Sequence, residues 1–331
     1  MEKYNYTILQ AVYKNDKAEF IDETFCSIYK QTQKPYMIIV IKDGEIPSEL
    51  DEVIKEWSYK LNIKLVGYSE NKGLAYALNY GLQFVETDYV ARMDSDDICY
   101  KDRIEKQVEF LNNNDDIFIC GTNARLFGDG KGIKSIIFND CDEIKCQVLF
   151  KATLIHPTVM IRKEVFDEFK YDEDFVYSQD FELWSRIATK YKIKILPFVG
   201  IKYRIHNHQI SYEKKNIQMK LCKNIIHNNS LYITNGIEDK NVEHTLWLLS
   251  GRNKIDSNDL KAIRNGINSI INYNGIENKY NKLILKKILY NRYFELSLKN
   301  KLFDFNSLKY YLHMYNFKDL FFKGIVFKYF K

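Results

Sequence analysis

The stretch Tyr89-Val90-Ala91-Arg92-Met93-Asp94-Ser95-Asp96-Asp97 joins a short apolar run to three carboxylates within four positions. The apolar part is typical of a buried strand, and alternation along an extended chain would point Asp94 and Asp96 the same way. Two oxygen ligands at a strand end suit Mg²⁺ or Mn²⁺ carrying a phosphorylated substrate. The alternative is an acidic turn that caps the next helix, a role that we expect for Asp97.

Outward from this stretch, short β-branched segments alternate with amphipathic ones over the first 130 residues. Repeated βα units predict an α/β fold with a mostly parallel central sheet flanked by helices. The predicted strands are Ile8–Tyr13, Met37–Ile41, Ile63–Val66, Tyr89–Met93 and Ile117–Leu126. The predicted helices are Glu19–Lys30, Ser48–Tyr59, Leu74–Val85 and Lys101–Asn112.

Polar turns follow three of these strands. Asp43-Gly44 comes after the second strand, Asn71-Lys72-Gly73 after the third and Asp94–Asp97 after the fourth. Ligands of such sheets bind at the carboxyl ends of the strands. We therefore expect the three turns to line one edge of the sheet and to form a single site.

The rest of the chain changes character. Residues 150–212 predict a strand at Thr158–Ile161 and a helix at Asp180–Thr189, and from about residue 216 the pattern is helical, with turns expected at Asn235-Gly236 and Asn274-Gly275. We expect a catalytic domain over residues 1–212 and a helical C-terminal region over 213–331.

Composition limits the class of protein. The 331 residues, 46% of them hydrophobic, can bury a sizeable core. We expect no signal peptide, because residues 1–7 are polar and lead directly into a short apolar strand. We expect no membrane span, because no apolar run reaches about 20 residues. The six cysteines form no CxxC pair, which favours free thiols and a cytoplasmic location.

Charge is distributed unevenly. Residues 1–200 hold 26 Lys+Arg against 34 Asp+Glu, whereas residues 201–331 hold 23 against 10. The basic third indicates an anionic partner, such as membrane headgroups, nucleic acid or a phosphorylated substrate, or else a solvated basic surface. The segment Tyr310–Lys331 alternates aromatic residues with lysines and predicts an amphipathic helix that either lies on a membrane or packs on the protein.

Taken together, the motifs over residues 6–211 resemble glycosyltransferase family 2, inverting nucleotide-sugar transferases of GT-A (Rossmann-like) fold. The matching segments, in the family's order, are Ala11-Val12-Tyr13, Ser27–Thr32 with Pro35, Ile38–Gly44, Asn71–Ala75, Ala91–Asp97, His156–Met160, Gln179–Trp184 and Tyr203–His206 with Ser211. The chain departs from the family at Lys42, where a second aspartate is frequent, and at Gln10-Ala11, where Met-Pro or a similar pair is usual.

The resemblance implies a metal and a catalytic base. It identifies Asp96 as the principal ligand of Mn²⁺ or Mg²⁺, with Asp94 contacting the metal or the ribose. His206 would complete the set, with His208 as a competitor. Asp180 matches the family's general base for the acceptor hydroxyl, although as a first-turn acid it could equally be a helix cap.

The resemblance also implies a substrate site. Asp43 would accept a hydrogen bond from the nucleobase, which favours uracil, and Arg204 would contact phosphate, unless it forms only a surface ion pair. His156 and Trp184 would border the acceptor, although both suit a buried structural role. The remaining expected contacts with the substrate come from Ala11, Tyr13, Asn71, Lys72, Gly73, Arg92, Asp94 and Ser95.

These expectations describe a metal-dependent glycosyltransferase that adds one hexose or N-acetylhexosamine from a UDP-sugar to a glycan, with a lipid-linked oligosaccharide as the expected acceptor. The Gln-x-x-Arg-Trp sequence of processive synthases is absent, so we expect single additions by a protein peripheral to the cytoplasmic membrane, without nucleic acid. A nucleotidyltransferase is disfavoured because Val12–Asp16 holds no glycine. A non-catalytic basic protein that binds membrane or nucleic acid would leave the aspartates unexplained.

Overall fold

The computed structural model of the protein describes residues 5–134, 140–206 and 214–302. The chain divides into two compact units: one combines the residues up to Cys141 with Ala152–Leu221, and the other combines Asp142–Lys151 with the residues from Cys222 onward. The predicted boundary after residue 212 and the amphipathic segment Tyr310–Lys331 lie outside the described residues, and both stay predictions.

The first unit is built on one mixed sheet. Its strands in the described residues are β1 (Tyr6–Val12), β2 (Met37–Asp43), β3 (Ile63–Tyr68), β4 (Tyr89–Arg92), β5 (Ile98–Cys99), β6 (Ile117–Gly128), β7 (Gly132–Lys134), β8 (Met160–Arg162) and β9 (Lys192–Ile205). Their order is β3-β2-β1-β4-β8-β6-β9-β5, with β7 paired to β6. The first four are parallel, and β8 runs antiparallel to both β4 and β6.

Helices cover both faces of the parallel strands, as the apolar runs of those strands require. Ile8 and Val40 belong to the core on one face, whereas Leu9 and Ile41 on the other face approach Gly81 so closely that a Cβ there would clash. The helices of the first unit in the described residues are α1 (Ala18–Tyr29), α2 (Ser48–Ser58), α3 (Leu74–Leu82), α4 (Arg103–Asn112), α6 (Val165–Glu168) and α7 (Gln179–Ile187), while α5 (Cys141–Gln147) belongs almost entirely to the second unit. The predicted α/β class is confirmed.

Strand β9 has no counterpart in the sequence-based prediction. Its Lys–Ile alternation is interrupted by Pro197 and Gly200, which disguise a 14-residue strand as two fragments. The register with β6 shifts at this point, and a side chain at Gly200 would collide with Thr122. The second half of β9 pairs with β5 through Ile98 and Lys202, which brings the end of β9 beside the acidic turn that follows β4.

The C-terminal part is helical, with α8 (Lys215–Ile233), α9 (Lys240–Ser250), α10 (Ser257–Glu277) and α11 (Lys282–Lys299). The turn expected at Asn235-Gly236 is confirmed, since both residues have positive φ. The turn expected at Asn274-Gly275 is wrong: both residues lie within α10, and the buried Asn274 amide bonds the backbone of Tyr280, so the turn forms after the helix. Within the described ranges no helix has the length and apolarity needed to traverse a bilayer.

Candidate active site

The acidic turn after β4 concentrates three carboxylates in a small volume. Oxygen atoms of Asp94, Asp96 and Asp97 lie within 4.8 Å of one another. Asp94 and Asp96 are partly exposed and Asp97 is fully buried. One oxygen of Asp97 accepts the Arg204 N–H at 2.8 Å, while Oδ2 is buried and meets no hydrogen-bond donor among the described residues. The three carboxylates therefore form one compact anionic cluster.

The expected capping role of Asp97 is wrong. Helix α4 begins at Arg103, and its N-cap position is occupied by Asp102. Asp97 lies before the intervening strand β5, and its carboxylate points into the interior, where it meets the backbone of β9. Although Asp97 is close to α4 in sequence, strand β5 lies between them and turns the chain away from the helix start.

Side chains from α1 and β9 hold the backbone of the acidic turn. The Thr24 hydroxyl lies 3.0 Å from the Ser95 carbonyl and 2.7 Å from the Asp97 carbonyl. Arg204 donates to the Asp96 carbonyl at 2.8 Å and pairs with Glu23. The Arg204 guanidinium also lies 3.9 Å and 4.4 Å from the ring centroids of Phe20 and Phe127. Arg204 thus positions the turn, and its expected contact with phosphate stays a prediction.

Mutual repulsion and burial change the protonation of these acids. Burial and then the Asp94 charge raise the pKa of Asp96 to about 6, against the opposing effect of His206. The His206 Nε2 atom lies 3.3 Å from Asp96 Oδ2, so the structure brings this predicted ligand to the acidic turn. Burial, followed by the charges of Asp96 and Asp94, also raises the pKa of Asp97. His208 lies outside the described residues.

Asp16 is a further acid of the site that the sequence analysis missed. Its Oδ2 atom accepts the Tyr13 N–H at 3.1 Å and the Ser95 hydroxyl at 3.0 Å, which ties the loop after β1 to the acidic turn. Burial raises the pKa of Asp16 to about 7, and the charges of Asp96 and Asp94 add to that shift. Asp43 is predicted to be a site residue because it lies in a polar turn at the end of a strand. Asp16 lies in such a turn after β1, so the same rule could have identified it.

Asp180 approaches the same cluster from α7. It is the second residue of that helix, and its Oδ1 accepts the Phe181 N–H at 2.8 Å. Burial raises the pKa of Asp180, and the Asp94 charge contributes to the rise. The neighbouring Glu182 is buried and forms a bidentate pair with Arg186, which removes it as a competing base.

Two residues from unpredicted strands complete this part of the site. Burial raises the pKa of the Tyr203 hydroxyl, as do the charges of Asp94, Asp97, Asp96 and Asp180. The Lys134 ammonium lies 5.4 Å from the centroid of the Tyr203 ring. Burial lowers the pKa of Lys134, and the charges of Asp180 and Asp97 oppose this effect. Tyr203 and Lys134 therefore both lie within the field of Asp180 and of the acidic turn.

Arg92 and His156 lie beneath the acids in the protein interior. Arg92 is buried, pairs with Asp94 and donates to the Met93 carbonyl. His156 Nε2 lies 2.8 Å from the Tyr171 hydroxyl, and burial followed by the Arg92 charge holds the pKa of His156 well below its usual value. Trp184 contacts His156 edge-on and has no exposed surface. Its expected stacking on an acceptor sugar stays a prediction, and it would require the ring to be uncovered.

A second group of predicted residues is organised around Asp43. Its carboxylate accepts hydrogen bonds from the Tyr68 hydroxyl at 2.9 Å, the Asn71 amide at 2.9 Å, the Lys72 N–H at 2.7 Å and the Gly73 N–H at 3.0 Å. Gly44 has a φ of +86°, and a Cβ there would lie 2.7 Å from the Asn71 nitrogen. Asp43 thus shapes the loop between β3 and α3.

The loop around Asp43 adjoins the end of β1. Val12 is paired in register with Lys42, so Ala11 and Tyr13, both partly exposed, stand at the same edge as Asp43. Leu9 of β1 is paired with Arg92 of β4, which places the acidic turn on the other side of β1. The three polar turns therefore share one edge of the sheet, as the strand-end rule predicted.

Comparison with known proteins gives consistent matches. Residues 8–169 match the model of the family described as glycosyl transferase family 2. The O-antigen biosynthesis glycosyltransferase WbnJ of Escherichia coli is 30% identical over 205 residues, which cover 61% of this chain and 80% of that protein. The UDP-Gal:alpha-D-GlcNAc-diphosphoundecaprenol beta-1,3-galactosyltransferase of Escherichia coli is 35% identical over 184 residues, or 55% of this chain and 66% of that protein.

The fold also resembles that of solved structures. S. aureus TarS 1–349 in complex with UDP-GlcNAc matches with a TM-score of 0.60 and 14% sequence identity, over 90% of this chain and 93% of that chain. At this identity the likeness concerns the fold, and it extends beyond the residues that the family model matches.

Proposed function

The chain belongs to glycosyl transferase family 2, and we propose that it is an inverting, metal-dependent enzyme that moves one hexose or N-acetylhexosamine from a UDP-sugar to a glycan acceptor. We propose that the acceptor is a lipid-linked oligosaccharide of bacterial capsule, O-antigen or lipooligosaccharide synthesis. The observation that carries the proposal is the cluster of Asp94, Asp96 and Asp97 at the sheet edge that also carries the Asp43 loop, with Asp180 close enough for the Asp94 charge to raise its pKa. The two Escherichia coli relatives support the class of acceptor.

The acidic turn has the chemistry of a divalent cation site. Its ligands are carboxylate oxygens within 4.8 Å of one another, and Asp97 contributes a buried oxygen that no donor among the described residues satisfies. Mg²⁺ and Mn²⁺ prefer such hard ligands. Asp94 and Asp96 would hold the ion, with His206 beside Asp96. When bound, the ion would neutralise the charge that develops on the leaving diphosphate.

Asp180 is the proposed general base. An inverting transfer needs a carboxylate that takes the proton of the acceptor hydroxyl while that oxygen attacks the anomeric carbon. The Phe181 N–H holds Oδ1 and fixes the orientation of the carboxylate, and Oδ2 would accept the proton. Burial raises the pKa of Asp180, which makes the carboxylate a stronger base than an exposed aspartate.

The remaining residues bind and orient the donor. Asp43 and the backbone of Lys72 and Gly73 form a rigid rim next to Tyr13, which suits the uracil and ribose of UDP. Arg92 positions Asp94 from below. Burial and then the Arg92 charge lower the pKa of His156, which favours its neutral form and avoids a further positive charge next to Arg92.

Titration calorimetry of UDP with and without Mn²⁺ tests the proposal, followed by a screen of UDP-sugars for donor hydrolysis. We expect UDP to bind more tightly with Mn²⁺ and at least one UDP-sugar to be hydrolysed slowly by the wild type. Asp180→Asn should retain UDP binding. Absence of UDP binding in both conditions would refute the proposed donor, and hydrolysis that is unaffected by chelation would refute the metal requirement.

A further inference from the structure

The most exposed aliphatic side chains of the described residues cluster in the second unit. Leu283, Ile276 and Ile237 have 76%, 74% and 57% of their surface exposed, more than any other aliphatic residue in the ranges described. Single exposed aliphatic residues are normal in soluble proteins. Here all three belong to two interhelical turns, the one between α8 and α9 and the one between α10 and α11.

The two turns lie side by side. Ile276 is in the last turn of α10 and Leu283 in the first turn of α11, with Asn281 capping α11 between them. Lys279, from the same turn, donates to the Tyr232 carbonyl at 2.5 Å and to the Asn235 side chain. These bonds attach the α10–α11 turn to the end of α8, where the chain continues to Ile237.

The bonds that shape the turns leave the aliphatic side chains outside the core. The Asn274 amide bonds both the N–H and the carbonyl of Tyr280, and Asn278 adopts the left-handed conformation that ends α10. The backbone is therefore fixed by polar side chains, and Ile276 and Leu283 contribute little to its stability. Their exposure needs another explanation, and clustered exposed apolar residues mark an interaction surface.

We propose that Ile237, Ile276 and Leu283 form a membrane-contact surface that inserts into the headgroup region of an anionic bilayer. Turns whose aliphatic tips are this exposed suit a membrane interface, because the lipids yield around each side chain. Electrostatics favour the same partner, because residues 222–302 hold 13 Lys+Arg against 7 Asp+Glu, and Lys279 and Lys282 lie within the α10–α11 connection.

The local acids reduce this attraction without reversing it. Glu238 and Glu277 are exposed near the tips, whereas the Asp239 carboxylate accepts the N–H groups of Asn241 and Val242 at the start of α9. The inference deepens the proposed function, since a lipid-linked acceptor would require an enzyme that works at the bilayer. None of these three residues belongs to the candidate active site, so binding to vesicles can be measured without donor, metal or acceptor.

Co-sedimentation of the full chain with vesicles tests the proposal. One set of vesicles contains phosphatidylcholine alone, and the other contains about 30 mol% phosphatidylglycerol as the anionic lipid. We expect binding to the anionic vesicles, weaker binding to the neutral ones, and at least a roughly tenfold lower partition coefficient for the double variant Ile276→Ser/Leu283→Ser. Tyr59→Ser, at an 81% exposed position of the first unit, is the matched control and should bind as the wild type does.

A gain-of-function variant provides a second measurement. Leu283→Trp should strengthen binding to anionic vesicles several-fold, because tryptophan favours the membrane interface. Unchanged partitioning of both the Ser and the Trp variants would overturn the proposal. If the double variant also lost thermal stability or dissociated from a dimer while vesicle binding persisted, the tips would be covered by another part of this chain or by a second copy, and the proposal would be wrong.

Discussion

Asp43 offers a direct test of what holds the loop between β3 and α3 in shape. The carboxylate receives five hydrogen-bond contacts from four groups: the Tyr68 hydroxyl, the Asn71 amide, the Lys72 N–H and the Gly73 N–H. Asp43→Asn keeps the size of the side chain but replaces one acceptor oxygen with an NH₂ group. That group would face donors, so part of the network would be lost and part would become repulsive.

The expected loss of loop stability follows from the number of hydrogen bonds that the substitution affects. A hydrogen bond to a charged group contributes about 1.5–3 kcal/mol, and the remaining amide oxygen retains some of the contacts, so we expect a loss of about 3 kcal/mol in the stability of the loop. A change of about 1.4 kcal/mol corresponds to a factor of ten, so the opening equilibrium of the loop should rise on the order of 100-fold.

Amide hydrogen exchange measures this opening where it occurs. The N–H groups of Lys72 and Gly73 should lose about two orders of magnitude of protection in Asp43→Asn, while core amides of β1 change little. The matched control is Asp51→Asn, which breaks the partly exposed Lys42–Asp51 pair of 3.1 Å and should cost less than about 1 kcal/mol. Wild-type protection of Lys72 and Gly73 in Asp43→Asn would refute the reasoning.

Three further predictions concern the acids. Asp180→Asn should lower the rate of sugar transfer by a factor of about 10²–10⁴ with UDP affinity unchanged, whereas Asp174→Asn, at an exposed position, should have no effect in the same assays. Asp96→Asn should raise the Mn²⁺ concentration for half-maximal UDP binding at least about tenfold, and an unchanged titration would contradict its role as a ligand. Burial raises the pKa of Asp16 from 3.8 to about 7, so metal-free protein should lose stability as the pH rises through that window. Asp16→Asn should therefore stabilise it by about 1–3 kcal/mol at pH 8 and hardly at pH 4, as thermal unfolding can measure.

Local pattern was sufficient to predict the parallel half of the sheet and the positions of its turns. Strands β1, β2 and β4 are buried on both faces and therefore appear as apolar runs, whereas the edge strand β3 is only partly buried but keeps enough apolar residues to be predicted. Helices α1 to α4 show helical spacing in the same part of the chain. The strand-end rule then placed Asp43, Asn71 and Asp94 at one edge without information about tertiary contacts. The same local reasoning assigned Asp97 to a helix cap, because it could not anticipate that β5 pairs with β9 and turns the chain inward.

The partners that hold the acids come from distant parts of the chain, which explains why local pattern did not reveal them. Thr24, in α1, bonds the backbone of the acidic turn, and so does Arg204, at the end of β9. These contacts oppose electrostatic repulsion, because carboxylate oxygens of three acids lie within 4.8 Å of one another. Burial and then the Asp94 charge raise the pKa of Asp96. An unrestrained loop would relieve that repulsion by moving apart. Because the restraint acts on the backbone of the turn, the carboxylate oxygens stay converged, and a divalent cation would meet ligands that are already arranged. Preorganisation of this kind is what allows electrostatic stabilisation of a leaving diphosphate without reorganisation during the reaction.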